Sequence, residues 1–218
     1  MKSIIIPILM GLFSLNFFIR QSDSGLERIG ALEQDFNTLR SIMQIDQERQ
    51  STEQKIIQII ERYNPYMPLN MKRKIAKEIY RMSLKYPNLD VNLICATITH
   101  ESGRAWNPRV ISNAGAMGLM QIMPNTGKWL AKYEGIKWTT AEEILFNPIY
   151  NIRLGTRYLS ALVETYDVEG GLAAYNGGAK RVELWLAKNK ADGILWAETQ
   201  DYIPFVLKLY AEYKKFAL

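Results

Sequence analysis

Glu101 is the residue whose setting in the sequence promises chemistry. Ile94, Cys95 and Ile98 fall on one face of a helical segment opened by Asp90, and Glu101 continues that face at i+7 from Ile94 and i+3 from Ile98. A carboxyl held among apolar neighbours keeps its proton toward neutral pH and can act as a general acid. The periodicity leaves a second account open, in which Glu101 is a polar residue just past the apolar face or a carboxylate paired with Arg104. Two other reactive side chains lie close by in the chain. Cys95, the only cysteine, sits between Ile94 and Ala96, the surroundings of a buried thiol rather than a nucleophile, which needs a partly exposed, electropositive setting. With one cysteine there is no intrachain disulfide, and the compartment cannot be read from redox chemistry. His100, the only histidine, has no second His or Cys at ligand spacing, so the sequence calls for no metal and no cofactor.

The elements that must hold these groups are almost entirely helical. Helices are expected from Met71 to about Lys85, from Asp90 to about Arg104, over Asn125 to Lys132, and from Asn147-Pro148 to about Tyr166. Others are expected over Leu172 to Tyr175, Ala179 to Lys188, and Thr199 to about Phe216. No alternating strand pattern competes with them. Pro204 falls in the first turns of the last segment, where a missing N–H costs little. Glycines gather at Gly115, Gly118, Gly170, Gly171, Gly177 and Gly178, marking tight turns or places where a ligand nears the backbone.

Upstream of these helices the chain reads differently. Ser3 to Ile19 is an apolar stretch behind Lys2 with no charge before Arg20. It is long for the core of a secretory signal and short for a membrane span. Phe17, Phe18, Ile19 and Arg20 stand where a cleavage site needs small residues, and no cysteine offers a lipid attachment point. The first 24 residues are therefore taken as a membrane anchor, with a cleaved signal segment as the alternative. From residue 25 to 64 the chain is charged and Gln-rich, and Ile29, Leu32, Phe36, Leu39 and Met43 recur at three- and four-residue steps. The same register then meets Asp46, Gln50 and Glu53, so the seam covers only about two heptads. This stretch is expected to be a helical spacer. Asn64, Pro65 and Pro68 place the boundary of the main domain at Tyr63 to Leu69, leaving residues 65–218 as one domain.

The chain's 218 residues are 48% hydrophobic and 22% charged, enough for a real core. Lys and Arg outnumber Asp and Glu by 27 to 22. The net charge of +5 fits an anionic partner or a mildly basic solvated surface. No basic run is interleaved with aromatics, so nucleic acid is set aside as a partner.

Three separated blocks carry a resemblance. Glu101-Ser102 with Trp106-Asn107-Pro108 is the first, Gly115 to Pro124 (GAMGLMQIMP) the second, and Ala174 to Gly178 (AYNGG), followed by Glu198-Thr199 and Tyr202, the third. In order and spacing they resemble the soluble lytic transglycosylases, relatives of goose-type lysozyme, over about Ile94 to Tyr210. Departures are small. Thr99 and His100 precede the glutamate where the family often has Gln, and Ile203-Pro204 follow Tyr202 where a β-branched residue and a non-proline are more usual. The second departure bears on where the last helix starts and how Tyr202 is aimed.

The resemblance implies an all-α, lysozyme-like catalytic domain that cuts peptidoglycan glycan strands, with Glu101 as the only catalytic residue. It implies that Ser102 and Gln121 hydrogen-bond substrate, that Met117 and Met123 form apolar walls, and that Tyr175, Asn176 and Tyr202 lie near the reacting ring. Glu198 would orient polar groups in the cleft. One glutamate would serve both steps, protonating the leaving oxygen and then taking a proton from the sugar's own 6-hydroxyl. Ordinary glycosidases use two carboxylates, and the matched blocks offer only Glu198 besides Glu101. A hydrolytic muramidase remains the alternative within the class. An inactive wall-binding component of an envelope or phage-entry machine is the alternative outside it. Such an enzyme works in the cell envelope, anchored at the periplasmic face of the inner membrane or released into the periplasm.

Overall fold

The structure is a computed structural model that describes residues 25–216, with side chains from Leu32 onward. The expected anchor over residues 1–24 lies outside the described residues. Within them the fold is all-α, as the sequence predicts, apart from two isolated β-bridges at Met117. No described helix is long and apolar enough to cross a membrane.

Helix α1 spans Gly25–Tyr63. The chain divides into two compact units, Met1–Arg49 and Gln50–Leu218. That division lies upstream of the Pro-marked boundary expected at Tyr63 to Leu69. Ile56, Ile59 and Ile60 explain the difference, for all three are buried in the core of the second unit. Burial of an isoleucine side chain is worth about 1.5–3 kcal/mol, so the end of the expected spacer is part of the domain it precedes.

In the second unit α2 covers Leu69–Lys85, and α3 covers Val91–Glu101. The Asp90 carboxylate caps α3 by accepting from the N–H groups of Asn92 and Leu93 at 2.8 and 3.0 Å. Helix α4 covers Pro124–Ala131, with its proline at the first turn where no N–H is needed. The five-residue α5, Ala141–Leu145, has no counterpart in the sequence reading and is capped by the Thr140 hydroxyl. Helix α6 runs over Pro148–Gly177, α7 over Ala179–Ala187 and α8 over Ala197–Lys215.

Three expectations about these helices change. The segment after Asp90 ends at Glu101 rather than Arg104, because Gly103, Arg104 and Trp106 all take positive φ. Gly170 and Gly171 make no turn. They lie inside α6, beyond a kink at Asp167 (φ 61°), and a Cβ on Gly171 would sit 2.8 Å from the Val163 backbone. Pro204 lies well inside α8, which starts at Ala197, so its missing N–H falls at a helix-interior position.

Helix α3 is buried over most of its length. Leu93 to Ile98 are all buried, and Thr97 and Thr99 return their hydroxyls to the carbonyls of Leu93 and Cys95. Helices α8 and α2 pack against α3, while α6 packs against α2, α7 and α8. The shielded carboxylate of Glu78 on α2 meets Arg153 of α6 at 2.7 Å and also pairs with Arg81. Glu134 accepts from Lys85, Tyr86 and Arg157, tying the turn after α4 to α2 and α6.

Candidate active site

The last residue of α3 stands where the buried helix gives way to a turn of left-handed backbone. Glu101 is therefore carried to the edge of the core by a rigid element, and its Oε1 is buried without a hydrogen-bond partner. Burial pushes the Glu101 carboxyl up to about 7, with the neighbouring Tyr202 phenol pulling it down and the Glu198 charge adding to the rise. The Tyr202 hydroxyl is itself buried with no partner at hydrogen-bonding geometry. Near neutral pH this acid is poised between donating and accepting a proton. No Glu101–Arg104 ion pair forms, and Arg104 instead lies 4.5 Å from the centroid of the Phe205 ring.

Three elements make up the candidate site. Helix α8 brings Tyr202, which is 1% exposed, and carries the exposed Glu198 on its first turn. Helix α6 brings Tyr175. Both phenols are held well above the usual tyrosine range, by burial first and by the charge of Glu101 second. Both tyrosines lie within electrostatic reach of Glu101. His100, the residue before Glu101, contacts the Tyr202 ring edge-on at 4.6 Å and the Phe205 ring at 5.1 Å. Burial lowers the His100 pKa, the Glu198 charge raises it and Arg104 lowers it further.

The third element is the loop from Ser112 to Met123. It folds on itself through reciprocal backbone bonds between Met117 and Ile122 at 3.1 and 3.0 Å. Gln121 takes φ 47° and donates its amide to the carbonyls of Gly118 (2.8 Å) and Val110 (3.3 Å). Tyr175 donates to the Met120 carbonyl at 2.7 Å, which ties the loop to α6. Met117 is 5% exposed and belongs to the core, whereas Met123 is 44% exposed at the end of the loop.

Asn151 holds this loop from below and was not singled out by the sequence reading. Fully buried on α6, it donates to the carbonyls of Met117 (2.8 Å) and Leu145 (3.0 Å) and accepts from the Met120 N–H (2.7 Å). Gly118 lets the backbone approach. It has φ 81°, and a Cβ there would stand 2.2 Å from the Leu145 carbonyl oxygen and 2.3 Å from Asn151 Nδ2. A lone asparagine among the apolar residues that follow Asn147-Pro148 was the only available signal.

Two further residues make contacts within the protein. Ser102 is 1% exposed, and its Oγ accepts from the Trp106 N–H at 3.1 Å, so it shapes the turn after α3. Asn176 accepts the Thr199 hydroxyl at 2.7 Å and links α6 to α8. Among the tryptophans, Trp106 is fully buried and donates to Thr99, while Trp129 and Trp196 are more than half exposed.

With this geometry in place, the model of the transglycosylase SLT domain matches residues 78–195 of the chain. The soluble lytic murein transglycosylase of Escherichia coli K12 is 36% identical over 122 residues, covering 51% of this chain and 19% of that protein. The membrane-bound lytic murein transglycosylase C of Photorhabdus laumondii is 35% identical over 131 residues, covering 56% of this chain and 33% of that one. The chain thus spans a third or less of either relative. The 70 kDa soluble lytic transglycosylase of Escherichia coli superposes with a TM-score of 0.56 at 29% identity, covering 66% of this chain and 26% of that one. An inactive glutamate-to-glutamine mutant of the lytic transglycosylase Slt from Pseudomonas aeruginosa gives the same TM-score and identity. The likeness bears out the lysozyme-like helical fold.

Proposed function

The chain belongs to the transglycosylase SLT domain family, and from that premise we propose that it is a peptidoglycan lytic transglycosylase with Glu101 as acid and then base. Its bond is the β-1,4 link between N-acetylmuramic acid and N-acetylglucosamine. The observation that carries the reading is a carboxyl at the edge of the core with an unpartnered oxygen and a pKa near 7. In the first step protonated Glu101 gives its proton to the glycosidic oxygen, that C–O bond breaks, and positive charge develops at the anomeric carbon. In the second the 6-hydroxyl of the same sugar attacks that carbon, and ionised Glu101 takes its proton. No water is consumed, and the carboxyl ends as it began.

Intramolecular attack suits a cleft with one acid, since a tethered hydroxyl can carry an effective molarity far above that of water. Glu198 is exposed and acts on Glu101 through its charge, which fits a group that orients substrate. The Gln121 amide nitrogen already donates to the backbone carbonyls of Gly118 and Val110, so its contribution to sugar binding would come through its carbonyl oxygen. Met117, Met123, Tyr175, Asn176 and Tyr202 complete the proposed groove. Ser102 supports it by fixing the turn that follows Glu101.

Relatives named soluble and membrane-bound lytic murein transglycosylases support placement in the cell envelope. We assign attachment to the membrane to Ser3 to Ile19. The test is turnover of purified walls by Glu101→Gln, which keeps the shape of the side chain but cannot deliver a proton. Turnover should fall by at least the factor of about 10² to 10⁴ typical of one general acid, with wall binding retained. Glu198→Gln should cost less, and equal losses in the two variants would favour a two-carboxylate hydrolase.

A further inference from the structure

We infer that the stretch of α1 before Arg49 joins two copies of this chain side by side, parallel and in register. Leu32, Phe36, Leu39 and Met43 form one line along the helix and are 46%, 62%, 49% and 71% exposed, with Ile42 beside them at 58%. An exposed apolar line of this kind marks a surface that another chain covers.

Charge and chain direction select a second copy as the occupant. With Phe36 and Met43 at the a positions of a heptad and Leu32 and Leu39 at d, Asp35 falls at g and Arg40 at e. In a parallel pair each g residue faces the e residue of the next heptad on the other helix. Asp35 of each copy then meets Arg40 of the other, twice by symmetry, flanking the Phe36 to Leu39 layers. Parallel alignment also brings both Ser3 to Ile19 segments to the same end, as two anchors in one membrane require; this point rests on the envelope reading above, whereas the charge pattern does not. The line ends where Asp46 takes the next d position, so the paired length is about two heptads and the association is reversible.

The native chain offers a clean probe, because Cys95 is fully buried and will not report. Leu39→Cys in the full-length protein, held in detergent under mild oxidation, should yield mainly a disulfide-linked dimer, since d residues meet in a parallel in-register pair. Ser41→Cys, on the outward f position, should yield severalfold less. Adding Arg40→Glu to Leu39→Cys places a second acid opposite Asp35 and should cut the yield severalfold, and adding Asp35→Arg as well should restore it. The proposal is overturned if light scattering gives the mass of one chain with no cross-linked product, as when the chain's own N-terminal segment covers the line. Equal yields in all variants, or failure of the charge swap to restore the dimer, would also overturn it. Wall-digesting activity should not change across the series, which separates a failure here from a failure of the catalytic reading.

Discussion

Replacing Glu101 by glutamine should make the protein more stable, and by an amount that grows with pH. The carboxyl has a pKa of about 7 in the fold, against an ordinary value of 4.5. Between those values the folded protein keeps a proton that the unfolded chain has released. Stability contributed by this group is therefore full below about pH 4.5, falls as the pH rises toward 7, and levels off above it. The gap corresponds to about 3 kcal/mol. The variant has no such proton, so its stability relative to the native protein should rise by about 3 kcal/mol from pH 4 to pH 8. Any loss from burying the amide is a constant offset. Glu78 and Glu134 work in the opposite sense. Burial raises each pKa, but hydrogen bonds from Arg81 and Arg153, and from Lys85 and Tyr86, bring the net value below the ordinary one, and both groups cancel in the difference between the proteins. Urea unfolding of both at five pH values measures the effect, which in thermal terms is about 6–12 °C for a domain of this size. Parallel stability curves over this range would refute the claim that burial governs the Glu101 proton.

Two other outcomes follow from the packing around the site. Asn151→Leu strands the carbonyl of Leu145 and the N–H of Met120 and leaves the Met117 carbonyl with its bond from Ile122 alone; each stranded group costs about 1–3 kcal/mol, so the melting temperature should fall by about 5 °C or more and turnover with it, whereas a variant as stable as the native protein would show that the loop needs no clamp. A fragment starting at Gln50 should fold and digest walls, while one starting at Pro65 loses the buried Ile56, Ile59 and Ile60 and with them about 5 kcal/mol or more, most of an ordinary domain's stability; cooperative melting of both fragments at one temperature would count against the division at Arg49.

The helix that carries Glu101 was legible because its face is written in Ile94 and Ile98, and the motif blocks around Gly118 and Tyr175 were legible as strings. What the strings did not contain was the tertiary hydrogen bonding. Ser102 matches its block by type, yet the turn folds its hydroxyl inward onto Trp106. Asn151 looks like any polar residue on a helix until the loop of Met117 to Met120 is brought against it. Gly171 reads as a turn former by composition but is selected by the approach of Val163 within α6. The burial upstream of the expected boundary was hidden for a similar reason, since Pro65 and Pro68 end a helix locally and cannot say that Ile56, Ile59 and Ile60 are already buried before it.

The chemical outcome at the muramic acid end tests the single-acid account most directly. Purified peptidoglycan digested with the native protein should release fragments that end in 1,6-anhydro-N-acetylmuramic acid. By mass spectrometry these are lighter by one water than hydrolysed fragments, and borohydride leaves them unchanged. Fragments carrying predominantly reducible muramic acid ends would contradict the account, because water rather than the 6-hydroxyl would then have closed the reaction that Glu101 opens.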